Sequence, residues 1–496
     1  MAYIGLDVGT SGCKASVVSP EGTILFSKSK EYRFELPQPG WVELNPQIVW
    51  QAVREVLAAV APSAKDVRAM AVSTLGEAMV FLDAQEKPLC NGIVYLDDRC
   101  PDIPAWIAQK TDPYALYLQT GLSNNQMFSL CRYLWLRKNR PNIVEQAKYV
   151  FLFEDYIQYL LTGERAVDPS MASRTMLFDI RSANWADNLF RLFDVPMEKF
   201  SPVVPTGTVL GRLRRELAQE LGLPQSIQVV VGCHDQIAAN LGSGITRPGE
   251  MLAGEGSTES FNLIIDHASV EQRDLYAREI CIEPFAVPGR FMLPLGQLSH
   301  GSCIRWFVQQ HSHEYEARLP GEDLSLYQKA DKLCAQNSHG LYFIPYLSKV
   351  LIMDASNRAP ACFLGIDAST TVDRMYRAVL EGLSFEARNV LDIARDAGAN
   401  LSRIVATGGG SRSDLFMQLK SDVIGLPVET LAATDGGSVG LAALCAYALG
   451  DVPDLDSAAR KFSKISRRFE PSRNYDAQFA AYRKILSTLK ALYREL

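Results

Sequence analysis

The chain has no CxxC pair, no long apolar run and no excess of basic charge, and each absence removes a class of function. Its ten cysteines are scattered from Cys13 to Cys445, and only His234, beside Cys233, and His300, near Cys303, stand close to one. Zinc fingers and dithiol redox sites therefore lack their ligands. Scattered thiols with mostly apolar neighbours suit buried residues in a reducing cytosol. Lys plus Arg number 50 against 56 Asp plus Glu. So weakly acidic a chain lacks the electrostatic footprint of a nucleic-acid or anionic-membrane binder. No apolar stretch approaches the ~18–20 residues that cross a bilayer. The opening Tyr3-Ile4-Gly5-Leu6-Asp7 has neither the basic region nor the cleavage site of a signal peptide. A cytoplasmic protein with no nucleic-acid or membrane partner is expected, its ligands held in local pockets.

What is present is a large α/β pattern. The 496 residues are 47% hydrophobic and 21% charged, which suits several globular domains. Ala2–Leu6, Lys14–Val18 and Thr23–Ser27 read as strands, separated by the turns Gly9-Thr10-Ser11-Gly12 and Pro20-Glu21-Gly22. Asn45–Ala61 has helical spacing, with Val49, Val53, Val56, Leu57 and Val60 as its buried stripe. A related turn recurs later: Met251–Gly254 leads through Gly256-Ser257-Thr258 into a strand at Ser260–Ile264. Two such units imply two similar halves, with a boundary near Thr246-Arg247-Pro248-Gly249 and domains at 1–247 and 248–496. Strand-like stretches precede helical ones at Gln228–Gly232 and Arg403–Thr407, and Ala477–Leu496 reads as an amphipathic helix.

Four places could carry chemistry. In the two Gly-Thr/Ser turns, glycines admit an anion close to the backbone, and successive N–H groups and hydroxyls can donate to phosphate oxygens. Asp7, just before the first turn, could hold Mg²⁺, which prefers oxygen ligands. Each turn is also readable as an ordinary hairpin. Thr407-Gly408-Gly409-Gly410-Ser411 stands at a strand-to-helix junction where a nucleotide could lie against backbone. It matches neither GxxxxGK[ST] nor GxGxxG. Asp435-Gly436-Gly437-Ser438-Val439-Gly440 begins another glycine-rich helix, where close packing is the plain explanation. Asp235, in Gly232-Cys233-His234-Asp235-Gln236, lies at the end of a buried-looking strand. It reads either as a helix cap or as a catalytic acid facing a crevice.

Taken together, these segments resemble the FGGY carbohydrate kinases, the family of xylulokinases, gluconokinases and glycerol kinases, over essentially the whole chain. Ile4–Lys14 is similar to the family's first phosphate loop and Gly256-Ser257-Thr258 to the second. Tyr95-Leu96-Asp97-Asp98-Arg99 resembles W-x-D-x-R with Tyr in place of Trp. Met127–Trp135 resembles the first family signature, with Arg132 where Lys is usual. Ala361–Ile366 with Tyr376–Gly382 resembles the second, with Arg374 a departure. Gly408-Gly409-Gly410-Ser411 resembles the adenosine loop, and Asp235 stands where the family has its catalytic aspartate. The resemblance implies an actin/hexokinase-like fold of two RNase H-like domains with an interdomain cleft. A homodimer is the candidate assembly.

It also implies ATP- and Mg²⁺-dependent phosphorylation of a small sugar or polyol. ATP would contact Gly9, Thr10, Ser11, Lys14, Gly256, Ser257, Thr258 and Gly408–Ser411; Asp7 and Asp235 would hold Mg²⁺; Asp235 would take the hydroxyl proton. The acceptor would meet Gly76, Glu77, Asp97, Asp235 and Gln236, with Met127 and Trp306 as walls. Overall pattern favours D-xylulose, ahead of another ketopentose, a pentitol or a glycerol-like polyol. Leu75-Gly76-Glu77-Ala78 departs from the xylulokinase Q-M-H-G, while Glu77 and the Asp235-Gln236 pair are closer to glycerol kinases. Gly76 is expected to leave room for a longer acceptor, and Glu77 to repel aldonates. An actin-like or chaperone-type ATPase acting on a protein is the rival class, disfavoured by Asp235 and the two sugar-kinase signatures. A sugar sensor without activity would lack that acid. His267, His311, His313 and His339 carry no assigned role.

Overall fold

The computed structural model describes residues 1–266, 272–297, 300–347, 360–432 and 435–495; His267 and Leu496 lie outside them. The chain forms two compact units: Met1–Arg247 with Cys281–Met292 and Asp435–Lys464, and Pro248–Ile280 with Leu293–Thr434 and Ile465–Leu496. Two stretches of the C-terminal half thus belong to the first unit, which a single cut after Arg247 would miss.

The first unit is built on a six-stranded mixed sheet. Its strands are β1 (Ala2–Val8), β2 (Gly12–Val18), β3 (Ile24–Glu31), β4 (Val67–Thr74), β5 (Val209–Arg212) and β6 (Gln228–His234), in the order β5-β6-β4-β1-β2-β3. Strands β1, β2 and β3 form antiparallel hairpins, while β4 runs parallel to β1 and β6 parallel to β4. Helix α1 (Pro46–Val60) starts where Asn45 accepts from the Gln47 and Ile48 N–H groups, an ordinary N-cap. Its apolar stripe of Val49, Val53, Val56, Leu57 and Val60 is buried in one cluster with Ile4, Leu6 and Val17 of the sheet. Helix α2 (Asp235–Gly242) follows β6 directly.

The second unit repeats this plan. Strands β7 (Glu250–Glu255), β8 (Glu259–Asp266), β9 (Arg403–Gly408), β10 (Val428–Leu431) and β11 (Ile465–Phe469) are neighbours in the order β8-β7-β9-β10-β11. Again a hairpin is antiparallel, two further strands join in parallel and an antiparallel strand follows. Helices α3 (Gly301–Gln310), α4 (Val372–Asp396) and α5 (Asp414–Ile424) belong to this unit. No helix among the described residues is long and apolar enough to cross a membrane.

Helix α6 (Gly436–Ala448) returns to the first unit and packs on β1 and α2. Its glycine-rich start is the close-packing surface that its composition suggests. A Cβ on Gly440 would overlap the Ala238 carbonyl of α2 and lie 2.7 Å from the Gly242 nitrogen; one on Gly5 of β1 would lie 2.7 Å from Ser438 Cα. No flexible side chain is available to yield at these contacts. Gly440→Ala should therefore overpack the α2–α6 crossing by ~1–3 kcal/mol and lower the melting temperature by ~2–5 °C. Gly409→Ala, at φ −65° with only ordinary contact beside it, is the control and should melt like the parent. Equal melting of Gly440→Ala and the parent, measured by calorimetry, would contradict this packing.

Candidate functional site

In the first unit, β1 delivers Asp7 and then turns tightly, with the Gly9 N–H donating to the Gly12 carbonyl at 2.9 Å. The Tyr32 hydroxyl clamps both ends of this turn, donating to the carbonyls of Gly9 at 2.6 Å and Gly12 at 3.0 Å. Thr10 is half-buried and Ser11 exposed. Lys14 stands opposite Asp7 in the β1–β2 register, and its ammonium lies 2.8 Å from Asp435. Asp435 also caps α6 by accepting from the Ser438 N–H. Asp7 accepts from the Ser73 hydroxyl at 2.7 Å. Burial raises its carboxyl pKa, Ser73 opposes this, Asp435 adds to it and Lys14 opposes it.

Asp235 is the first residue inside α2, not its cap; His234 holds the capping position without a side-chain cap bond. The capping explanation of this aspartate therefore does not hold. Its Oδ1 is buried and accepts no hydrogen bond, although 33% of the side chain is open. Burial first, then the Asp7 charge, pushes its carboxyl up to about 7; the Gln236 N–H works against this, and Glu77 adds to it. The His234 Nε2 lies 3.3 Å from Asp235 Oδ1. Burial and then Arg174 hold this imidazole well below its usual pKa, so it stands neutral beside the acid.

Glu77 is almost fully buried and has φ 58°, a left-handed conformation that costs a non-glycine residue ~1–3 kcal/mol. Its carboxylate is gripped by Arg174, whose Nε donates at 2.7 Å and whose Nη2 bonds the same oxygen. The Nη1 of Arg174 bonds Glu283. Burial alone would lower the Arg174 pKa; Glu283 and Glu77 outweigh it and raise it. Two carboxylates thus share one guanidinium. This corrects the expectation of free space at Gly76. A Cβ there would sit 3.2 Å from both Arg174 Nε and His234 Nε2, so the room is already filled.

Asp97 is also reassigned. Its Oδ1 accepts from Arg99 N and Nε at 2.9 and 2.7 Å, and its Oδ2 from Arg99 Nη2 and Val42 N at 2.6 Å each. Arg99 bonds Glu43 as well, and its guanidinium lies 3.9 Å from the Trp41 ring centre. Both oxygens of Asp97 are spent fixing this strip, which leaves none for a sugar hydroxyl. Arg132 is buried and ties the 126–128 segment to Val94 through the carbonyls of Gln126, Phe128 and Val94. Met127 and Gln236 are half-buried.

In the second unit, Gly256-Ser257-Thr258 is an exposed turn, with the Gly256 N–H donating to the Thr258 carbonyl at 3.0 Å. The start of α3 supports it from behind: Gly301 N donates to Gly256, and Ser302 N to Ser257. The Arg305 Nη2 donates to the Ser257 hydroxyl at 3.0 Å, which sets a guanidinium on this turn. Gly408 has φ 93°, which a side chain would strain. The Ser411 hydroxyl donates back to the Gly408 carbonyl at 2.9 Å, and Ser413 caps α5 by accepting from Phe416 N. A Cβ on Gly409 would make only an ordinary 3.9 Å contact with the Glu255 carbonyl. Trp306, on α3, stacks at 12° on Phe343 and is 38% exposed.

The sequence pointed to the turns and to Asp235 but not to Arg174, Glu283 or Arg305. Their partners lie dozens of residues away, and no local pattern announces them. Among the described residues one group has three potential metal ligands within reach of one another, Glu255, Glu259 and His300 of the second unit.

Comparison with known proteins gives this geometry its class. Residues 2–242 match the N-terminal domain of the FGGY family of carbohydrate kinases, and residues 264–449 match its C-terminal domain. A glycerol kinase of Gloeobacter violaceus is 30% identical over 97% of this chain and 96% of its own. The xylulose kinase of Escherichia coli (strain K12) is 26% identical over 100% of this chain and 99% of its own. The crystal structure of xylulose kinase from Rhodospirillum rubrum superposes with a TM-score of 0.85 at 28% identity, covering 100% and 99% of the two chains. Two mixed-sheet units with these turns are those of a sugar kinase, a phosphotransferase with an alcohol acceptor. The chain belongs to the FGGY family of carbohydrate kinases.

If Asp235 is the base, activity must follow its ionisation. Only the ionised carboxylate can take a proton, and with its pKa near about 7 the protonated form dominates below that pH. The kcat/KM profile should fall on the acid side with a midpoint near 7 and a tenfold loss per pH unit below it. Activity that stays flat from pH 8 to pH 5 would exclude Asp235 as the titrating base.

Proposed function

We propose that this kinase transfers the γ-phosphoryl group of ATP to a terminal hydroxyl of a five-carbon sugar or polyol, with D-xylulose first, and that Asp235 is the general base. The observation that carries this reading is Asp235 itself. It is a carboxylate at a strand-to-helix junction, with one buried oxygen left without a donor and a pKa raised toward neutrality. Such a group can accept a hydroxyl proton as the oxygen attacks phosphorus. Direct transfer needs no covalent intermediate, so positioning and charge stabilisation supply most of the acceleration.

The first unit would receive phosphate oxygens on Gly9, Thr10, Ser11 and Lys14, and the acceptor against Gly76, Glu77, Met127 and Gln236. The second would receive phosphate on Gly256, Ser257 and Thr258 and adenosine on Gly408–Ser411. Asp7 and Asp235 are the oxygen donors for Mg²⁺, and their mutual repulsion is the charge excess that a cation relieves. When bound, Mg²⁺ supplies positive charge to the phosphate oxygens. The support for a five-carbon acceptor is the xylulose kinase relatives, since Gly76 offers no extra room. Glu77 and Glu283 share the Arg174 guanidinium, which makes that cation unavailable to a carboxylate-bearing acceptor.

Three measurements test this reading. Asp235→Ala should fold normally, bind ATP and lose ~10²–10⁴-fold in turnover; near-parental turnover would reject the assignment. Gly409→Val, at an ordinary φ with its Cβ in no closer contact than 3.9 Å, should leave folding intact and weaken ATP binding, while Thr10→Val should slow transfer by losing a phosphate donor. Normal use of ATP by both variants would make the loops structural turns. In a screen of ATP consumption, D-xylulose or a related ketopentose or pentitol should be turned over, glycerol weakly and gluconate hardly at all. Preference for glycerol over every five-carbon acceptor, or efficient gluconate phosphorylation, would refute the acceptor reading.

A further inference from the structure

Four charged side chains of the second unit are buried together and take no part in the chemistry proposed above. Glu255 ends β7, Glu259 begins β8, His300 immediately precedes α3, and Lys420 lies within α5; all are at most 2% exposed. The Lys420 ammonium lies 2.5 Å from Glu255 Oε1 and also bonds Glu259 Oε1. The imidazole of His300 sets Nε2 2.6 Å from Glu255 Oε2 and Nδ1 3.2 Å from Glu259 Oε2. Its ring packs on Phe416 of α5, with centres 5.4 Å apart. Burial alone would lower the pKa of both cations, yet the two carboxylates raise them. Two anions face two cations, and each cation bridges both anions.

Burying four charges is a poor route to stability, since a packed apolar group of the same volume often does as well or better. Their location offers another reason. Glu255 and Glu259 bracket Gly256-Ser257-Thr258, and His300 N–H donates to the Ser257 carbonyl at 3.2 Å. Glu255 is also the register partner of Gly408. A Cβ on Gly410 would meet Glu255 Oε2 at 3.2 Å and His300 Nε2 at 3.4 Å. One ionic cluster therefore lies directly under the 408–411 loop and behind the 256–258 turn.

We propose that Glu255, Glu259, His300 and Lys420 are positioning residues that lock these two turns into one geometry and so set the affinity for the nucleotide. The proposal rests on the assignment of both turns to ATP. Glu255, Glu259 and His300 could in principle gather round a metal ion. The Lys420 ammonium, however, already bonds Oε1 of both carboxylates and, with His300, balances their charge.

The test compares Lys420→Met, the charge-balanced Lys420→Met/Glu259→Gln pair, and Gly409→Val. ADP affinity is read by calorimetry, KM for ATP and for acceptor are read separately, and the melting temperature is followed. Lys420→Met should raise the ADP Kd and the KM for ATP by about tenfold or more, because a loosened supporting shell misplaces the groups it holds. It should leave the acceptor KM and the kcat at saturating ATP within about threefold of the parent. The balanced pair should recover part of the ADP affinity. If the single variant does not fold, the pair carries the test and should still show raised ATP KM with kcat retained. Parental ADP affinity in a folded variant would overturn the proposal. So would a parallel loss of kcat and both KM values, since that marks general damage. If Gly409→Val loses ADP binding while Lys420→Met keeps it, only this proposal fails; if both keep it, the nucleotide assignment has failed.

Discussion

Charge beside Asp235 constrains everything else in the first unit. Asp235 is influenced directly by Asp7 and Glu77, and Glu77 shares Arg174 with Glu283. Of these four carboxylates only Glu77 and Glu283 are bonded by Arg174, and Lys14, opposite Asp7, pairs with Asp435. An isolated buried carboxylate is expensive, and such groups respond by holding a proton, a cation or a hydrogen-bond donor. Glu77 and Glu283 have Arg174, and Asp7 has the Ser73 hydroxyl. Asp235 Oδ1 has none of these, so its environment favours whatever brings a positive charge or a shared proton. The unmet oxygen of this acid follows from how its neighbours are already satisfied.

The glycines divide by the same kind of accounting, applied to space. Gly5, Gly242 and Gly440 have backbone where a Cβ would go, so they are required by packing and carry no ligand. Gly408 is required by its positive φ. Gly409 is required by neither: its backbone is ordinary and a Cβ there would make only ordinary contact. A glycine that the fold does not need is the one whose bareness is best explained by a ligand lying against it.

Sequence reasoning reached the features that are local. The hairpin turns, the strand before Asp235 and the stripe on α1 are each encoded within a few consecutive residues, and local pattern is what sequence displays. It did not reach Arg174 and Glu283, which lie 97 and 206 positions from Glu77 by residue number. Nor did it reach Lys420, a lysine in a helix whose neighbouring residues are largely apolar. That position could have been flagged, since a buried lysine must find carboxylates. Asp97 was misjudged because a motif aspartate says nothing of how many donors already surround it. Gly76 was misjudged because a missing side chain implies space only if nothing else fills it.

The repeated topology shows how two similar halves come to do different work. Both sheets present a carboxylate at the end of the strand that leads into a glycine turn, Asp7 in β1 and Glu255 in β7. In the first unit that acid is half-buried, lightly satisfied and close enough to Asp235 to raise its pKa. In the second it is fully buried and neutralised by Lys420 and His300. The first arrangement leaves negative charge that a metal ion or a transferable proton can answer, which suits the reacting end of a phosphoryl group. In the second, the cluster behind the turn balances its own charge, and the turn presents backbone N–H groups, hydroxyls and the Arg305 guanidinium, which suits holding an anion without repelling it. Duplicated backbone supplies two similar turns, and under the proposed function the side chains behind each would set the first to the reacting end of the phosphate and the second to holding it.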